Sequence, residues 1–165
     1  MYRPSKFSAP LLMLVCGLTL AFSATNISRA FAHGGDDDDY AAGEPGNPTK
    51  PSRTVDITMS EANGTMSYEP AEIDVKKGEQ IKFIVKNVGT LKHEFFLDSF
   101  SHNASHKIEM QKNPEMEHDD PNAQSIEPGK QKEILWKFSK PGTFEFACLI
   151  PGHYEAGMHG KVVVK

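Results

Sequence analysis

The sequence predicts an all-β fold, an antiparallel sandwich or barrel of about seven or eight strands. Two observations predict it. From Arg53 onward, apolar residues recur at every second position in short runs, and Gly, Pro or Asn closes most of those runs. Helical periodicity is scarce, with one long segment, 99–122, following neither pattern.

Each run has its own signature. Thr54 to Met59 alternates polar with apolar, as a strand with one buried face requires. Ile73 and Val75 lead into a turn at Lys77-Gly78, and Ile81, Phe83 and Val85 share one face of the next run. His93-Glu94-Phe95-Phe96-Leu97 starts an apolar strand after a turn at Gly89. Ile134, Trp136 and Phe138 alternate, which places Trp136 in the core, and Pro141-Gly142 turns the chain into Phe144, Phe146 and Cys148. Val162 to Val164 forms a last strand. Ser99 to Asn122 is long for a sandwich connection, and connections of that length carry function or a local helix. It is expected to be irregular or partly helical.

The N-terminus reads as an export signal over residues 1–32. Arg3 and Lys6 precede a largely apolar run from Ala9 to Ala24, and Ala30-Phe31-Ala32 supplies small residues for cleavage. The run falls short of the ~20 residues a membrane span needs, so the cleaved protein is expected to be periplasmic and free of the membrane. Residues 33–52, HGGDDDDYAAGEPGNPTKPS, hold little apolar surface and are read as a disordered acidic linker. A single domain, residues 53–165, follows.

The whole chain has 18 basic and 22 acidic residues. Cleavage removes Arg3, Lys6 and Arg29 and no acid, leaving a net charge of about −7 and no basic run. Nucleic acid is therefore excluded as a partner.

Of the two cysteines, Cys16 lies in the signal, so Cys148 is left alone in an exported protein. A solitary thiol in an oxidising compartment needs protection, and metal ligation supplies it. Cys148 shares its parity with Phe144 and Phe146, so it points into the core at a strand's end. Turns at Pro151-Gly152 and Ala156-Gly157 then offer His153 and Met158. A thiolate with imidazoles and a weak thioether describes a blue-copper site. The second imidazole has several candidates: His93, at a strand start, His102, His106 and His118 in the irregular segment, and His159 beside Met158.

The segment FEFACLIPGHYEAGMHGKVVV strongly resembles the ligand loop of cupredoxins, the plastocyanin, azurin and rusticyanin group, and NVGTLKHEFF resembles the segment supplying their first histidine. The Cys-x4-His-x4-Met spacing is more similar to rusticyanin or auracyanin than to plastocyanin. With HEF and the His/Met-bearing middle segment, the chain looks most like periplasmic cupredoxins of copper tolerance. The resemblance implies a Greek-key sandwich over about residues 53–165. It also implies one type 1 copper held by His93, Cys148, His153 and Met158, and no bond-making chemistry.

Two further copper positions are considered. His102, His106, Met110, Met116 and His118 offer imidazoles and thioethers for a second, weaker site. Cleavage after Ala32 would leave His33 with a free amine and a ring to chelate copper. Catalysis is not expected, because multicopper enzymes need additional copper clusters and this chain has neither His-x-His pairs nor a second cysteine in the loop. The principal expectation is a monomeric one-electron carrier that exchanges electrons with redox proteins, since a ligand set shared by Cu(I) and Cu(II) leaves little to rearrange. The alternative is a copper-tolerance protein that handles excess periplasmic copper with other copper-handling proteins.

Overall fold

The computed structural model describes residues 40–165. The expected signal, residues 1–32, lies outside the described residues, as do His33 and the aspartates at 36–39. Eleven strands and one helix are described, in the order β1 (Glu44–Pro45), β2 (Arg53–Ala62), β3 (Thr65–Glu69), β4 (Glu72–Val75), β5 (Gln80–Asn87), β6 (His93–Asp98), α1 (Phe100–Lys112), β7 (Asp119–Asp120), β8 (Ala123–Ile126), β9 (Gln131–Lys137), β10 (Gly142–Ala147) and β11 (His159–Val164). The excess over seven or eight comes partly from β1 and β7, two-residue pairings too short to leave a periodic trace.

The strands form two sheets packed as a sandwich, one ordered β1-β9-β5-β2-β3 and the other β4-β11-β10-β6-β8-β7. The sheets are mixed rather than antiparallel throughout: β2 pairs with β5 in parallel, and β4 with β11. The chain visits the second sheet as β4 between β3 and β5, so β5 returns beside β2 in the same direction.

The period-two residues meet between the sheets. Ile81, Phe83, Val85, Trp136 and Phe146 are all fully buried in one core cluster, and Cys148 and Met158 belong to it. Phe95 stacks on Phe146 at 5.2 Å, while Tyr68 meets both rings edge-on. The Tyr68 hydroxyl, from the first sheet, donates to the Glu94 carbonyl of the second at 2.5 Å. That bond ties the sheets together beside His93.

Every residue of β6 is buried, because both of its faces are covered. Phe95 and Leu97 face the core. Phe96 lies on the outer face in a second, smaller cluster with Met110, Ala123, Ala147 and Leu149, which α1 covers. The helix is capped by the Ser99 side chain, which accepts from His102 N at 3.2 Å. Asn103 and Met110, seven apart on one helical face, are its buried residues.

Residues 40–52 fall in the segment expected to be a disordered linker, and the structure packs them on the first sheet instead. β1 pairs with β9, Tyr40 meets Trp136 edge-on at 5.1 Å, and Ala42 is buried. The Gln80 side chain accepts from Asn47 N at 2.7 Å and donates to Asn47 O at 3.1 Å. One buried anchor, Ala42, one half-buried ring, Tyr40, and one side-chain clamp hold a stretch whose average composition is polar.

Candidate metal centre

Cys148 stands one residue beyond β10, with its side chain in the core cluster as its parity predicts. The loop that follows is braced by its own backbone. His153 N donates to Ile150 O at 3.0 Å, Met158 N to His153 O at 3.1 Å, and Cys148 N to Met158 O at 3.0 Å. Gly152 and Gly157 have φ of +89° and +103°, which side-chain-bearing residues rarely adopt, so both expected turns need glycine.

The structure brings three of the four expected ligands together at their donor atoms. His93 Nδ1 lies 3.1 Å from His153 Nδ1, which is 3.3 Å from Cys148 Sγ. The three donor atoms lie within 4.8 Å of one another. Met158 is fully buried in the same core cluster as Cys148.

The far side of His93 is held by a residue the sequence reading missed. His93 Nε2 lies 2.7 Å from Glu61 Oε1, and the Glu61 carboxylate also accepts from Thr90 N and Leu91 N. A carboxylate there keeps the ring proton on Nε2 and leaves the Nδ1 lone pair facing Cys148 and His153. Gly89 makes room for it, since a Cβ at that position would stand 2.2 Å from Glu61 Oε2.

Burial pulls the pKa of both His93 and His153 below the usual histidine value, so the rings are neutral and their lone pairs free at pH 7. Burial, with the nearby Glu94 charge, pushes the Cys148 thiol up to about 12. The backbone N–H groups of Glu94, 3.4 Å from Sγ, and of Ile150 act in the opposite direction. A buried thiol of this kind keeps its proton until a cation replaces it. A site of one thiol, two neutral imidazoles and a nearby thioether, with Cys148, His93 and Met158 buried and His153 half-buried at its edge, suits a soft, thiophilic metal and offers no nucleophile to solvent.

The remaining histidines lie outside the Cys148 centre. His159 is exposed and stacks on Tyr154 at 4.7 Å, and the His102 side chain is 58% exposed. His106 and His118 come together with their Nε2 atoms 3.1 Å apart, and burial lowers the pKa of each. Met110 and Met116 belong to the small cluster around Phe96, on whose ring His106 stacks at 4.6 Å.

Glu94, which the sequence marks as no more than a solvated or hydrogen-bonding neighbour of His93, is hydrogen-bonded but not solvated. It is 1% exposed, its Oε1 accepts from Leu149 N at 2.7 Å, and burial raises its pKa to about 7. One signal was available, an acid placed inside the otherwise apolar run His93 to Leu97.

Comparison with known proteins agrees with this geometry. A family model described as copper binding proteins, plastocyanin/azurin family, matches residues 55–165. The chain is 44% identical to the copper-resistant cuproprotein CopI of Rubrivivax gelatinosus, covering 94% of this chain and 96% of that protein. It is 34% identical to the copper-resistant cuproprotein CopI of Pseudomonas aeruginosa, with the same coverage of each. Among solved structures, dithionite-reduced auracyanin of Roseiflexus castenholzii superposes with a TM-score of 0.57 at 27% identity, covering 70% of this chain and 99% of that one.

Proposed function

The chain belongs to the plastocyanin/azurin family of copper-binding proteins, and from that premise we propose that it is a copper-tolerance protein of the periplasm. It holds one copper ion at His93, Cys148, His153 and Met158. The observation that carries the reading is the convergence of the His93, Cys148 and His153 donor atoms within 4.8 Å, with Met158 buried beside them.

Bound copper supplies a one-electron couple between Cu(I) and Cu(II). The chain's residues do the rest. Cys148 gives up its proton to become a thiolate, with the N–H groups of Glu94 and Ile150 directed at its sulfur. His93, fixed from behind by Glu61, and His153, fixed by the braced loop, present lone pairs without rearrangement. The surrounding core excludes water, which protects the only cysteine of the described residues from oxidation.

The electron-carrier expectation uses the same donor set. Tolerance is preferred because two relatives matching 94% of the chain are named copper-resistant cuproproteins. No catalytic activity is assigned. The test is a deletion strain grown in rising copper. Growth should fail at lower copper than in the parent, while respiration without added copper is unchanged. Impaired respiration with normal copper tolerance would overturn the proposal in favour of the carrier.

A further inference from the structure

His106 on α1 and His118, just ahead of β7, meet away from the Cys148 centre. Their Nε2 atoms are 3.1 Å apart, and the other nitrogen of each ring faces a carboxylate. His106 Nδ1 lies 3.5 Å from Glu109 Oε2, and His118 Nδ1 lies 3.6 Å from Asp120 Oδ2. A carboxylate behind an imidazole holds the ring proton on its own side and leaves the opposite nitrogen as a donor. Glu61 does the same for His93. Two lone pairs aimed at each other at this separation repel unless a proton or a cation lies between them.

The third group is Glu94. Its Oε1 is engaged by Leu149 N, but Oε2 is buried with no hydrogen-bond partner and lies 3.7 Å from His118 Nε2. A carboxylate oxygen in that state is costly, and a cation is the partner it lacks.

We propose that Glu94, His106 and His118 form a second copper site, taking Cu(II), on the outer face of the six-stranded sheet beneath α1. Two imidazoles and a carboxylate are an N,O donor set, and among divalent first-row ions such sets hold Cu(II) most tightly. Phe96, Met110 and Met116 close the apolar side. This deepens the copper-tolerance reading and rests on it only for the identity of the ion. Glu94 also links the two centres: its N–H points at Cys148 Sγ while its carboxylate faces His118.

The test is a titration of the full exported chain with Cu(II), followed by visible absorption and electron paramagnetic resonance. Two ions per chain are expected, one giving an intense thiolate-to-copper band and a narrow copper hyperfine splitting, the other nearly colourless with a wide splitting. Replacing both histidines, His106→Ala with His118→Ala, should remove the second signal and keep the first at wild-type intensity. The single variant His106→Gln, a conservative change at a half-buried position, serves if the double variant does not fold, and should weaken the second ion at least tenfold. Glu94→Gln keeps an oxygen for Leu149 and loses the carboxylate, so it too should weaken the second ion at least tenfold. One ion per chain in the wild type, a second ion retained in the variants, or its displacement by an equal concentration of Zn(II) would each overturn the proposal. Failure of the Cys148 centre is separate, since the intense band would then be missing whatever happens at the histidine pair.

Discussion

His93 and Glu94 are neighbours in β6, and a strand sends neighbouring side chains to opposite faces. His93 joins Cys148 and His153 at one end of the core, whereas Glu94 faces His118 under the helix. The two regions are built by different means. Around Cys148 the donors are fixed by backbone hydrogen bonds within the loop and by a carboxylate tied to two backbone N–H groups. Around His118 the weak point is His106, which depends on side-chain packing, with Phe96 and Met110 setting where α1 lies on the sheet. His118 itself is tied to Ser125 through its backbone N–H and carbonyl. The difference teaches that a first centre written into the backbone should survive damage to the helix, while the histidine pair should not.

The largest expected effect tests the inner region alone. Cys148→Ser removes the thiolate, so the visible band of the copper-loaded protein should disappear entirely, as absorption spectroscopy would show. A band that persists would move the sulfur ligand elsewhere. Next comes Met110→Ala, which empties a fully buried position between α1 and the sheet. Such truncations cost roughly 2 to 5 kcal/mol, measurable by denaturant unfolding of the metal-free protein. If the comparison holds, the folded variant keeps its full visible band. Loss of the band in folded protein would show that the helix side positions the inner centre after all.

How much of this was legible follows from the same contrast. Residues such as Ile81, Phe83 and Trp136 were readable because one face of each strand is buried and the other is not. β6 is buried on both faces, so HEFFLD has no alternation, and His93 could be singled out only by family resemblance. The ligand loop was legible since Cys148, His153 and Met158 lie between turns that require glycine. Only a possible local helix could be foreseen for α1, because the stripe it presents to the sheet runs Asn103, His106, Met110 instead of Leu or Ile. Glu61 left no trace at all. It lies near the end of β2, and only the approach of Gly89, Thr90 and Leu91 gives its carboxylate a role.

Glu61 sharpens the comparison at the next level. Glu61→Ala leaves His93 Nε2 without its partner, and loss of such supporting carboxylates lowers metal affinity about 10- to 100-fold. Competition against a copper chelator would measure it. Gly89→Ala should act in the same direction by crowding the carboxylate. Neither change touches His106 or His118, so copper at the histidine pair should keep its affinity.

The smallest effect is the pH dependence of copper binding, and its sign follows from burial. The Cys148 thiol, raised to about 12, is protonated at neutral pH in the metal-free protein, and copper needs the thiolate. Binding therefore releases one proton, and affinity should fall about tenfold for each unit of acidification between pH 8 and pH 7. His93 and His153 add nothing to that slope, because burial holds both below the usual histidine value and they are already neutral. Chelator competition at the two pH values, corrected for the chelator's own protonation, gives the slope directly. In Cys148→Ser the slope should shrink to the part set by the Glu94 carboxyl, whose pKa burial raises to about 7. A flat wild-type response would mean that the thiol is already ionised before copper arrives, and that the N–H groups of Glu94 and Ile150 outweigh the burial of the sulfur.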